Sequence, residues 1–114
     1  MTTLGEQAEQ LAAQYLQQQG LTLIEQNFRS RFGEIDLIMR DGTTMVFIEV
    51  RLRKHAGFGG AAASIDARKQ KRIISTAQQY LAGLVRVPPC RFDAVLLDDA
   101  QGKRMQWLKN AFDA

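Results

Sequence analysis

The chain has 114 residues, 46% of them apolar and 24% charged, a composition that supports a packed core in one domain spanning 1–114 and argues against disorder. One cysteine and one histidine exclude an internal disulfide framework and the four-ligand zinc sites. No apolar run approaches the roughly 20 residues of a membrane helix, and the start, MTTLGEQAEQ, lacks a signal peptide's basic and apolar segments, so a cytoplasmic protein without membrane contact is expected. The net charge of +3 is unevenly divided: residues 1–50 sum to −4 and residues 51–114 to +7. An acidic pocket beside a basic wall suits a polyanionic partner, although charges also simply solvate surfaces.

Leu4, Ala8, Leu11, Ala12, Tyr15 and Leu16 recur at helical spacing and predict a helix over Thr3 to Gln18, with Thr3 and Glu6 as a capping box and Gly20 as the stop. Three strands follow, over Leu21 to Phe28, Phe32 to Arg40 and Met45 to Arg53, with Asp41-Gly42 as a hairpin turn. Lys54 to Ala63 is a Gly/Ala-rich loop. Ser64 is expected to cap a second helix running to about Ala82, with an apolar stripe of Ile65, Ile73, Ile74, Ala77, Leu81 and Leu84. Pro88-Pro89 breaks the chain before a strand over Arg91 to Leu97, and Met105 to Leu108 reads as a short last strand. The order α-β-β-β-α-β(-β) implies an α/β fold, a mixed β-sheet flanked by helices.

Acids interrupt the apolar strands. Glu34 and Asp36 share one face of FGEIDLIM, and Glu49 and Arg51 share one face of MVFIEVR. Charges in such runs are costly to bury uncompensated. With Asp41-Gly42 as the turn, Asp36 faces Phe47 and Glu34 faces Glu49, all on one side of the sheet. Asp36 is then diagonal to Glu49, roughly 7–8 Å away along the backbone. A slip by two residues preserves the faces. Three acids on one patch are tolerated when one is protonated or when a divalent cation sits among them, and oxygen ligands favour Mg2+ or Mn2+ over zinc. The plain alternative is that each acid pairs with a neighbour on an exposed sheet face.

An Asp followed about a dozen residues later by Glu-x-Lys on a hairpin marks the PD-(D/E)XK nuclease superfamily, which this pattern resembles. More closely, the chain resembles the YraN family of small bacterial proteins. The similarity runs through Gly5, Glu9 and Tyr15-Leu16, the GEIDLI segment from Gly33 to Ile38, and Phe47-Ile48-Glu49-Val50-Arg51. It continues through Phe58-Gly59-Gly60, Lys69-Gln70, Ala77, Tyr80-Leu81, Arg91-Phe92-Asp93 and Asn110-Ala111-Phe112. The resemblance implies a restriction endonuclease-like core and a metal-dependent endonuclease acting on DNA, branched or damaged DNA included, that leaves a 5′ phosphate. It assigns Asp36 and Glu49 as metal ligands with the Val50 carbonyl as a further oxygen. Glu9 is the helix acid that completes such sites, or an ordinary solvated residue. Glu34 lies beside the site as an outer ligand or a salt-bridge partner. Arg51 stands where the superfamily has Lys; Arg cannot act as a base, but it can stabilise developing negative charge. The alternative is a non-catalytic nucleic-acid-binding module that retains the fold, and a third reading is an interaction subunit whose strands pair with a partner.

Arg53, Lys54, Arg68, Lys69, Lys71 and Arg72 are candidates for tracking a nucleic-acid backbone, and Gln70 occupies a place that resembles a family position near the site. Their alternative is a solvated helix face. Gly57 to Ala62 fits G-x-G-x-x-A in form, but a dinucleotide site is excluded because the chain is too short and no acid falls between Asp66 and Asp93. His55 is expected to be solvent-exposed and Cys90 buried. Trp107 and Phe112 belong to the core edge or to a homodimer interface, and both monomer and dimer stay open.

Overall fold

The computed structural model describes residues 3–52, 65–98 and 104–114. Thr3 accepts the Glu6 N–H at 3.1 Å and opens α1 (Leu4–Gln18), as the capping pattern predicts. Strands β1 (Thr22–Ser30), β2 (Gly33–Asp41) and β3 (Thr44–Leu52) follow, then α2 (Ala67–Leu81), β4 (Cys90–Leu97) and β5 (Met105–Phe112). The five strands form one mixed sheet in sequence order. β3 and β4 are parallel and joined through α2, and the other neighbours are antiparallel. The expected layout of a mixed sheet flanked by helices is the one observed.

Each helix covers one face. Ala8, Ala12, Ala13 and Leu16 of α1 pack on Leu37, Met39, Val46, Ile48, Val95 and Leu97. The three alanines let the helix lie close to the strands. On the other face Ile73 and Ala77 of α2 meet Ile35, Ile38, Phe47 and Phe92. Phe92 stacks between Phe47 and Phe112, with ring centroids 5.6 Å and 5.0 Å away. Trp107 packs with the α1 layer and Phe112 with the α2 layer, so both are core-edge residues.

Several details differ from expectation. The hairpin closes with Asp41 paired to Thr44, so Gly42 and Thr43 form the turn and the register is two residues beyond the predicted one. Gly42 carries the positive φ of 63°, the first-position glycine of a II′ turn. Asp41 stays in the strand because Arg91 Nη1 holds its carboxylate at 3.1 Å. The second helix is capped by Asp66, which accepts the Lys69 N–H at 2.8 Å; Ser64, the expected cap, lies outside the described residues. β5 runs to Phe112, four residues past its predicted end. Cys90 is exposed, being the first residue of an end strand segment that follows two prolines. Among the described residues no helix is long and apolar enough to cross a membrane.

Candidate metal and phosphate site

β2 and β3 pair from Asp41↔Thr44 to Leu37↔Ile48 and no further, while β3 remains paired to β4 as far as Leu52↔Leu97. Past Leu37, β2 therefore peels away and opens a cleft in the sheet. Ile35 and Leu37, which strand alternation would put on one face, pack in opposite layers, so β2 turns over at Asp36. β1 follows it. Gln26 pairs with Leu37 and Phe28 with Ile35, and the intervening Asn27 has a left-handed φ of 54°. Asn tolerates that backbone better than most residues.

The turnover puts the Asp36 carboxylate into the cleft. Its Oδ2 accepts the Val50 N–H at 2.8 Å, satisfying a β3 donor that β2 no longer reaches. The two-residue change in register places Asp36 level with Glu49 rather than with Phe47, and the two carboxyls share a hydrogen bond. From the α1 side Glu9 approaches. Carboxylate oxygens of Glu9, Glu34 and Asp36 lie within 4.8 Å of one another. From the α2 side Lys69 Nζ comes within 3.3 Å of Glu49 Oε2, and Glu49 is only 8% exposed. The four acids expected at the site are thus gathered at one end of the β2–β3 cleft, with Asp36 between the layers.

Burial raises the Asp36 carboxyl from 3.8 to about 8, assisted by the shared hydrogen bond and charge of Glu49 and opposed by the Val50 N–H and Lys69. Burial, followed by the charge of Asp36, raises Glu9 from 4.5 to about 7, with Glu34 and Glu6 adding to the rise and an Asn27 hydrogen bond opposing it. Both shifts record carboxylates crowded beyond what their own surroundings neutralise. A donor set made only of carboxylate oxygens, crowded in this way, fits a hard divalent cation such as Mg2+ or Mn2+.

The remaining candidates separate. Arg51 is half-buried, two residues beyond Glu49 on the same side of β3. Gln70 donates to the Ile65 carbonyl at 2.9 Å and so fastens the entry to α2. Arg68, Lys71 and Arg72 are exposed on α2. Arg53, Lys54, His55 and the glycine-rich loop lie outside the described residues. Sequence reasoning grouped Lys69 with the basic face and missed its ion pair with Glu49; the pairing depends on how α2 lies over the sheet, which no local pattern encodes. It also missed the buried Thr76, whose hydroxyl donates to the Arg72 carbonyl at 2.8 Å and accepts from Ser30 Oγ at 3.2 Å.

The fold and site define a small three-layer α/β/α protein with an acid cluster where its sheet splits. The chain belongs to the Uncharacterised protein family UPF0102, the YraN-type group, whose model matches residues 8–97. It is 60% identical over 109 residues to a UPF0102 protein of Nitrosomonas europaea, covering 96% of this chain and 92% of that one. A UPF0102 protein of Methylobacillus flagellatus is 52% identical over the full length of both chains.

Proposed function

We propose that the protein is a cytoplasmic, Mg2+- or Mn2+-dependent endonuclease that hydrolyses phosphodiester bonds in DNA. The observation that carries the reading is the convergence of Glu9, Glu34, Asp36 and Glu49 at the split between β2 and β3, with a lysine amine against Glu49. Structural carboxylates are ordinarily paired off with cations; this cluster has more negative charge than its one close lysine balances.

Asp36 and Glu49 would hold the cation, with Glu9 and Glu34 as the nearest further oxygens. A bound divalent cation supplies Lewis acidity toward water and the phosphoryl oxygens and offsets the cluster's charge. The chain's own groups do the rest. The Val50 N–H fixes one oxygen of Asp36 and so sets the carboxylate's orientation. Lys69 presents an ammonium at the rim of the cluster, where it stabilises charge that accumulates on a phosphate in the transition state. Arg51 stays protonated, so it serves as a charge donor to the phosphate and not as a base. The alternative of a non-catalytic nucleic-acid-binding module draws on Arg51 standing where the superfamily has Lys.

The test is cleavage of labelled linear, flapped and four-way-junction DNA with Mg2+ or Mn2+, beside an identically purified Asp36→Asn, Glu49→Gln double variant. Metal-dependent cutting by the wild type alone supports the endonuclease. Equal cutting by both identifies a contaminant. No cutting by either, with salt-sensitive binding retained, favours the binding module.

A further inference from the structure

The turn between β1 and β2 stands over α2 and is fastened to it. Ser30 Oγ donates to Thr76 Oγ1 at 3.2 Å and accepts the Phe32 N–H at 3.0 Å, so one serine ties the turn to itself and to the helix. Gly33, at a φ of 153°, lets the turn settle on α2: a Cβ there would already be in contact with Arg72 Cβ and Thr76 Oγ1, each at 3.5 Å. Between the turn and the helix lies an open cleft of about 490 Å³, lined by Arg29, Arg31 and Arg72 together with Phe32 and Glu34.

Three features of this cleft point to a ligand. Three guanidiniums converge from two elements, and the carboxylate facing them, Glu34, reaches Arg29 only at 3.8 Å with both side chains substantially exposed. Phe32 is a large aromatic left 40% exposed on a fixed turn, with the Arg31 guanidinium 4.9 Å from its ring centroid. Glu34 belongs both to the cleft and to the acid cluster, so the cleft opens directly beside the proposed cleavage site. Guanidiniums bind phosphate oxygens in a fork geometry, and an exposed aromatic ring stacks on an unpaired base.

We propose that this cleft is the subsite for an unpaired nucleotide next to the phosphate being cut. Arg31 and Arg72 hold its phosphate and Phe32 stacks on its base. The substrate class is then DNA with a single-stranded or flapped segment, because the bases of an intact duplex are already stacked. The inference rests on the nucleic-acid reading given above and deepens it.

Fluorescence anisotropy with end-labelled single-stranded, flapped and blunt duplex DNA, with Ca2+ replacing Mg2+, tests it. The Arg31→Ala, Arg72→Ala pair is expected to weaken single-strand and flap binding about tenfold and to make the salt dependence shallower by about 1.5 in log–log slope. An Arg86→Ala, Lys109→Ala pair outside the cleft should change binding less than twofold. Phe32→Ala should weaken single-strand and flap binding roughly tenfold and leave the blunt duplex nearly unchanged. Melting curves accompany each variant, and Arg31→Gln, Arg72→Gln serves if the alanine pair melts early. If the cleft variants bind no worse than the outside pair, the proposal is overturned while the endonuclease reading stands. If wild type binds through the cleft yet never cuts, the endonuclease reading fails and the cleft stands. If wild type binds none of the three DNAs, the cleft proposal is overturned.

Discussion

The Asp36 carboxylate accepts the Val50 N–H at 2.8 Å across the point where β2 and β3 cease to pair. A side chain there replaces a missing ladder bond. This single contact closes the sheet's split enough to keep β3 fully paired on its other edge, and it holds a carboxylate beside Glu49. The local geometry that ends one backbone interaction thus creates the acid cluster.

The cluster makes the metal-free protein less stable as the pH rises. The folded chain holds the Asp36 proton up to about 8 and the Glu9 proton up to about 7, against 3.8 and 4.5 for the unpaired groups. Over that interval the folded state binds more protons than the unfolded one. Stability is therefore fully present below about pH 4 and declines until the pH has passed both folded values. In chelator, the melting temperature should fall by about 5 °C between pH 5.5 and pH 8.5 beyond what other groups cause. Asp36→Asn should flatten most of that decline, and Mg2+ should raise the wild-type melting temperature more at pH 8.5 than at pH 5.5. A wild type whose melting temperature is flat or rises over this range would contradict the crowded-acid account.

Lys69 is the cation nearest Glu49, and its removal should affect rate far more than folding. Its side chain is 39% exposed, so the ion pair itself contributes no more than about 1 kcal/mol. As a donor to charge developing on phosphate it is expected to contribute about 10²-fold or more. Lys69→Ala should therefore lower the Mg2+-dependent cleavage rate at saturating DNA by that factor with a melting change of a few degrees. Lys69→Arg should recover part of the rate. Equal losses for the two variants would mean that Lys69 matters only as a precise steric fit.

The helices and strands were legible because α1 and the strands carry clean periodicities, and the acids at 34, 36 and 49 stood out against apolar neighbours. The cleft was not, because it depends on an exception to strand alternation. Ile35 and Leu37 read as same-face residues, and nothing in the GEIDLI segment alone announces that β2 turns over between them. The turn was misplaced because Asp-Gly is a strong local signal, and a residue 50 positions away, Arg91, outweighs it by keeping Asp41 in the strand. The partners of Glu49 and Ser30 lie on α2, so they too required the packed arrangement.

Asn27 carries part of the turnover. Its φ of 54° lies where a Cβ costs roughly 1 kcal/mol, and its side chain hydrogen-bonds Glu9. Asn27→Gly should leave the melting temperature close to wild type, because glycine accepts that backbone freely. Asn27→Val, stiff at χ1, should lower it by roughly 5–10 °C. Both lose the Asn27 hydrogen bond, which opposes the rise at Glu9, so NMR titration of the glycine variant should show Glu9 protonated to still higher pH.

Asp93 has no exposed surface, and four donors converge on it: Arg91 through Nε and Nη2, Trp107 Nε1 at 2.9 Å and the Asn110 N–H at 3.0 Å. Asn110 has a φ of 54°, and the β4–β5 register shifts between Phe92 and Ala94, so Asp93 fills the irregularity that it causes. Through Arg91 the same network reaches Asp41 at the end of the β2–β3 hairpin. Asp93→Ala leaves a guanidinium that is 15% exposed with Asp41 alone and strands two further donors, which should cost about 3–5 kcal/mol. Replacing Arg91 as well, as Arg91→Met with Asp93→Leu, should not restore wild-type stability, because the Trp107 and Asn110 donors still lack an acceptor. Urea unfolding of the two variants checks this: full recovery in the double variant would show that the ion pair alone accounts for the loss. Metal affinity measured well below the melting temperature should be unchanged in either, since Asp93 takes no part in the acid cluster.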